Sequence, residues 1–163
     1  DAVITDVTSV KAVVLRDAIS QGADPRRLVG GHPMAGREVS GATAARVDLL
    51  DDRWWILTPG EASDESLEAV SKMVAACGAL ATEMTPEEHD RAVALVSHAP
   101  QVLSSVLAAQ LMSADPAHVR VAGQGLRDMT RIAASDDQLW TDILSTNAGP
   151  VADVLDSIIA SRI

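Results

Sequence analysis

Residues suited to acid–base and anion chemistry fall at four places in this chain of 163 residues. His32 stands within Gly30-Gly31-His32-Pro33-Met34-Ala35-Gly36-Arg37-Glu38-Val39-Ser40-Gly41. The four glycines let backbone approach a ligand or take positive φ, and Pro33 keeps His32 extended rather than helical. An imidazole held on such a loop can face a pocket, and an unperturbed pKa of about 6.5 lets a neutral base persist near neutral pH. Two readings stand for it, a base or a histidine hydrogen-bonded in a strand-end loop. Ser9, in Thr5-Asp6-Val7-Thr8-Ser9-Val10-Lys11, either caps the helix that follows or points into the crevice where parallel sheets bind ligands, and the two roles are compatible. Lys11 reads as solvated or ion-paired. His98 lies in Ser97-His98-Ala99-Pro100-Gln101, just ahead of a helix kink. Arg127 and Arg131 are four residues apart in a helical pattern, so they share a face. They either pair with Asp128 or Asp136 or offer a planar fork to a carboxylate.

The elements that must position these groups change character along the chain. Ala2–Thr5 is a short β-branched strand, and Val10–Ser20 has helical spacing with Val13, Val14, Ala18 and Val10 inward. Leu28–Gly31 and Trp54–Thr58 read as buried strands, Asp64–Cys77 as a helix ended by Gly78, and Ala79–Met84 as a further strand. Strands alternating with helices imply a parallel α/β sheet. At Thr85-Pro86-Glu87-Glu88 the pattern becomes a capping box with proline at the first helical position. A long helix runs from there towards Met112, kinked by Pro100. Short helices follow over Ala117–Ala122, Leu126–Ala134, Asp136–Ser145 (opened by a Ser135-x-x-Gln138 capping box) and Val151–Ser161. The domain boundary is expected between Met84 and Thr85.

Composition narrows the function classes. A net charge of −10 argues against nucleic acid and anionic membrane as partners, so an anionic ligand needs locally placed arginines. The single cysteine, Cys77, permits no intrachain disulfide and reads as a buried, inert residue at a helix end. The histidines His32, His89, His98 and His118 include no pair at helical ligand spacing, and no metal is expected. No apolar run is read as long enough to cross a bilayer and no signal peptide opens the chain, which suggests a cytoplasmic protein.

Gly-Gly-His-Pro-Met-Ala-Gly-x-Glu-x-Ser-Gly resembles the signature of the prephenate dehydrogenase family. The stretches Thr5–Lys11, Ser97–Gln101 and Gly125–Ala133, followed by Asp136 and Trp140, agree with it in order. The resemblance implies an α/β remnant of a Rossmann-type nucleotide-binding domain over residues 1–84, then an all-α substrate-binding and dimerisation domain over 85–163. It implies oxidative decarboxylation of prephenate, or of its amino analogue arogenate, with hydride transfer to NAD or NADP. His32 would then accept the proton of the ring hydroxyl, and Ser9 would contact that hydroxyl beside the nicotinamide. Thr8, Ser9 and Pro33 would touch the cofactor, and Arg131 would hold the substrate carboxylate. His98 would lie near the substrate side chain, and Glu38 would gate the site or hold an arginine. Trp140 would either contact the ligand or anchor its own helix. A homodimer through the helical domain is implied as well. The chain contains no G-x-G-x-x-G, the turn that holds a pyrophosphate. The expectation is therefore that it carries only the last third or so of the nucleotide domain and is inactive alone; a non-catalytic dimerising or metabolite-sensing module is the other reading.

Overall fold

A computed structural model describes residues 2–36, 41 and 45–161 of the chain. The described residues form two compact units that divide between Ala92 and Val93.

The first unit is built on strands β1 (Ile4–Thr5), β2 (Leu28–Pro33), β3 (Trp54–Thr58) and β4 (Leu80–Glu83), in the order β1-β2-β3-β4. Helix α1 (Ala12–Ser20) connects β1 to β2 and helix α2 (Asp64–Ala76) connects β3 to β4. Both of these pairs are parallel, as a helical crossover requires. The fully parallel sheet read from the sequence is corrected at its centre, because β2 and β3 pair antiparallel. Among the described residues between them there is no crossover helix, so β3 returns beside β2 in the opposite direction. The core unites Val29, Trp55, Leu57, Val70, Val74 and Ala79, with Leu50, Ala62 and Leu67 packed on it. Each large aliphatic side chain buried there contributes about 1.5–3 kcal/mol.

Gly30 and Gly31 owe their identity to close packing rather than to positive φ, which neither adopts. A Cβ on Gly30 would strike Thr58 Oγ1, and one on Gly31 would lie 2.6 Å from the Asp6 carbonyl oxygen and 2.8 Å from Trp55 Nε1. The backbone approached is the protein's own. Positive φ is used at Gly78 (φ 76), which ends α2 by a paired motif: Gly78 N–H bonds to Ala75 O at 3.0 Å and Ala79 N–H to Val74 O at 3.3 Å. Cys77, expected inside, is exposed, because this turn carries it off the apolar face.

Helix α3 (Pro86–Val93) opens with the anticipated capping box, Thr85 N–H to Glu88 Oε2 at 2.9 Å and Glu88 N–H to Thr85 Oγ1 at 3.2 Å. It continues through a π-helical segment, Ala94–His98, into α4 (Ala99–Met112). The kink expected at Pro100 takes this form because the proline ring would clash with the carbonyl four residues back and offers no N–H to it. A wider turn, with Ala99 N–H on Ala94 O, resolves both conflicts. The run Pro86–Met112 is 27 residues, long and apolar enough by length and composition to cross a membrane, contrary to the sequence reading. Its first turns carry Glu87, Glu88, Asp90 and Arg91, and it buries His89, His98, Gln101 and Ser104 within protein, as a core helix does.

The second unit comprises the residues from Val93 onward. Helices α5 (Pro116–Val119), α6 (Gln124–Thr130), α7 (Asp137–Thr146) and α8 (Ala148–Ala160) follow α4. Helix α8 packs on the π segment and α6 packs on α4. The helix expected over Leu126–Ala134 breaks at Arg131 into a 3₁₀ turn, Arg131–Ala134. Thr130 Oγ1 bonds back to Leu126 O at 2.9 Å, and Ile132 O accepts from Gln101 Nε2 at 3.0 Å. The cap of α7 also differs. Asp136, not Ser135, accepts from Leu139 N–H (2.8 Å), while the Ser135 hydroxyl turns back to Ile132 O at 2.7 Å.

Candidate active site

His32 closes β2, opposite Ile56 of β3, in the extended conformation that Pro33 imposes. Its ring is half-buried, and Nδ1 lies 2.8 Å from Nε2 of His89, which is fully buried. The rings are tilted by 58° with centroids 5.1 Å apart, as suits an in-plane nitrogen contact rather than stacking. Behind His89, its Nδ1 donates to Asp90 Oδ1 at 2.8 Å. The same carboxylate takes the Lys11 amide (2.8 Å) and the Ala12 amide (3.0 Å) at the start of α1. Burial pushes the Asp90 carboxyl upward, but the bonds from His89, Lys11 and Ala12 outweigh it and hold the group below the usual carboxylate range.

Asp90 therefore does what the sequence assigned to Ser9. Helix α1 starts at Ala12 and has no side-chain cap of its own, and Ser9 lies two residues before its N-cap, Lys11, half-exposed. The loop that carries Ser9 is tied down from below. Lys11 is fully buried, so the solvated reading fails and the ion-paired one holds: its ammonium bonds Asp6 and, at 2.7 Å, Thr8 Oγ1. Asp6 in turn takes the Thr8 amide (2.9 Å) and hydroxyl (2.6 Å). Desolvation raises the Asp6 carboxyl, yet these bonds bring it below its ordinary value; for Lys11 desolvation dominates and lowers the ammonium despite Asp6. The Thr8 hydroxyl is thus committed to the turn: it accepts from Lys11 Nζ, and its single proton is shared between Asp6 Oδ1 and Val10 O, the latter 2.9 Å away. Pro33 is half-buried opposite Trp55.

In the second unit, His98 ends the π segment with 1% exposure. Asn147, at the start of α8, donates its side-chain amide to His98 Nδ1 at 3.0 Å, and Trp140 of α7 meets the imidazole edge-on, with centroids 5.9 Å apart at 83°. Trp140 is half-buried, so one ring edge anchors the histidine while the residue keeps some surface. Arg131 is exposed at the head of its 3₁₀ turn. Of its proposed acidic partners, Asp128 accepts from Gln124 Nε2 at 2.8 Å and Asp136 caps α7. Glu38 lies outside the described residues.

Sequence reasoning missed His89, Asp90 and Asn147. The signal for the first two was present in phase rather than in motif: His89 and Asp90 share a buried stripe with Val93 at the end of α3 and Ala94 at the start of the π segment, where an apolar pair would be the default. Among the described residues no group of three or more His, Cys, Asp or Glu side chains is arranged to hold a metal ion.

Residues 1–83 match the family model "Prephenate dehydrogenase, nucleotide-binding domain", and residues 85–162 match "Prephenate dehydrogenase, dimerization domain". A probable prephenate dehydrogenase, NovF, of Streptomyces niveus is 38% identical over 155 residues, covering 94% of this chain and 43% of that protein. The prephenate dehydrogenase of Bacillus subtilis is 37% identical over 160 residues, covering 96% and 43%. The chain therefore spans less than half the length of these two relatives. The crystal structure of prephenate dehydrogenase from Aquifex aeolicus in complex with hydroxyphenyl propionate and NAD+ superposes with a TM-score of 0.87 at 33% identity, over 97% of this chain and 56% of that one. Synechocystis arogenate dehydrogenase follows at 0.79 and 28%, over 96% and 58%. With both family models matched in sequence order and the signature histidine set at a strand end against a buried partner, the chain belongs to the prephenate dehydrogenase family.

Proposed function

We propose that this chain carries the catalytic base and the substrate-binding helices of an NAD-dependent prephenate dehydrogenase acting in tyrosine biosynthesis. The observation that supports it most is His32, the histidine of the family signature, placed at the C-terminal end of β2 with a buried His89–Asp90 pair behind its Nδ1. In this reading His32 takes the ring hydroxyl proton as hydride leaves the same carbon and the ring carboxylate departs as carbon dioxide. The product is a phenol, so the proton returns from His32 to the ring oxygen. Ser9 contacts that hydroxyl, Arg131 binds the carboxylate, and His98 with Trp140 borders the substrate side chain.

NAD, when bound, supplies the hydride acceptor. The strand ends fit a polar ligand of that kind. Thr5 Oγ1, at the C-terminal end of β1, is buried with no hydrogen-bond partner among the described residues, and Ser9 follows on a half-exposed loop at the edge where open α/β sheets bind cofactors. Thr8 and Pro33 would flank it, Thr8 through its backbone since its hydroxyl is spent. We assign residues 1–84 to the nucleotide-binding domain and 85–163 to a helical domain that pairs two copies in the cytoplasm. Arogenate, the amino analogue, is the second substrate to test, given the likeness to the Synechocystis enzyme.

The deciding experiment is His32→Asn in the intact protein, assayed with prephenate and NAD. Asparagine can bond the hydroxyl but cannot take its proton, so kcat should fall about 10²–10⁴-fold with KM nearly unchanged. A wild-type kcat would remove His32 from the chemistry.

A further inference from the structure

The His32–His89–Asp90 chain fixes more than a position. A carboxylate only accepts hydrogen bonds. Asp90 spends Oδ1 on His89 Nδ1 and on the Lys11 amide and Oδ2 on the Ala12 amide, and these bonds hold it ionised. The proton of a neutral His89 must therefore sit on Nδ1, which leaves Nε2 as an acceptor. The only hydrogen available for the 2.8 Å contact between the two histidines is then the one on His32 Nδ1.

We propose that His89 and Asp90 are positioning residues for the reaction: they hold His32 in the Nδ1–H tautomer, assign its lone pair to Nε2, and so decide which ring nitrogen receives the substrate proton. This rests on the reading of His32 as the base. Free histidine prefers the opposite tautomer, with the proton on Nε2, and in that form Nε2 cannot act as a base. The device also stabilises the imidazolium that forms, because the charge on His32 is met through His89 by a buried carboxylate, the logic by which an aspartate orients the histidine of a hydrolase triad. Asp90 additionally ties this chain to α1: the groups that orient the base also hold the amides of Lys11 and Ala12, where the helix starts just after Ser9.

The primary test is ¹⁵N NMR of ring-labelled histidine in the intact protein, at a pH well above the imidazole range. The expected result is a His32 ring with protonated Nδ1 and unprotonated Nε2. A ring protonated on Nε2, alone or together with Nδ1, would overturn the proposal without any enzyme assay. Two variants extend it. His89→Gln puts an amide oxygen near the place of Nε2, so it should keep the tautomer and most of kcat. His89→Leu offers no acceptor, so the tautomer should revert and kcat should drop about 10²-fold at little change in KM. Equal kcat in the two variants, or a leucine variant with unchanged tautomer, would refute the assignment. If His32→Asn keeps wild-type kcat while wild-type His32 shows the Nδ1–H form, the base reading has failed and the tautomer assignment has not.

Discussion

The Asp90 carboxylate accepts three N–H groups from two elements, so its removal strands more than one partner. Asp90→Ala should lower stability by about 2–3 kcal/mol, the scale of a lost cap plus an uncompensated buried donor, readable by chemical denaturation at neutral pH. The pH dependence has a definite sign. The folded-state pKa of Asp90 lies below its unfolded value near 3.9, so its contribution is fully present above that value and is lost as pH falls through the folded one. Stability measured from neutrality down to acid should therefore decline less steeply in Asp90→Asn than in wild type; an identical acid limb would show that the bonds do not matter. At Arg131 the expected effect is on binding. Arg131→Ala should raise KM about 30- to 1000-fold, or 2–4 kcal/mol, with kcat much less affected than in His32→Asn, and lysine should restore only part. An unchanged KM with a lowered melting temperature would make Arg131 a scaffold residue instead.

At the level of elements, short β-branched or apolar runs between clear terminators located each described strand, and helical periodicity located most helices. The Thr85 capping box and the Gly78 stop were legible because a few residues within one turn determine them. What escaped was set by distant partners. Nothing in Val10-Lys11-Ala12 announces that α1 is capped by a carboxylate 78 residues away, so local logic gave the task to Ser9. Likewise the direction of β3 depends on how its connection folds, not on Trp54–Thr58 themselves. The π segment was half-legible: Pro100 signalled a disruption, but not that the helix would accommodate it with a wider turn, Ala99 N–H reaching Ala94 O. The glycine stop yields a prediction of its own. Gly78→Ala should cost about 1–2 kcal/mol, since φ 76 is unfavourable for a side chain and the new Cβ would approach Asp51 Oδ1 at 2.5 Å. Thermal unfolding of the variant measures it, and a neutral result would mean that α2 ends without needing the left-handed turn.

On the scale of the whole molecule, the helical unit leaves Leu95 (59%), Val96 (64%), Val106 (54%) and Met112 (91%) exposed, more apolar surface along one helical run than an isolated subunit normally shows. The intact protein is expected to sediment as a dimer at micromolar concentration, and Val96→Asp with Val106→Asp should shift it towards monomer; a wild-type monomer well above that concentration would count against the pairing. The aromatic content of the chain has an optical consequence. It holds three tryptophans and no tyrosine or phenylalanine, so its near-ultraviolet emission comes from Trp54, Trp55 and Trp140 alone. Trp140 touches the His98 ring edge-on, and an imidazolium quenches indole fluorescence where a neutral imidazole does so weakly. With Trp54 and Trp55 replaced by phenylalanine, the remaining emission becomes a built-in reporter of whether His98 carries a proton, readable during a titration or a stopped-flow mixing experiment without any attached dye.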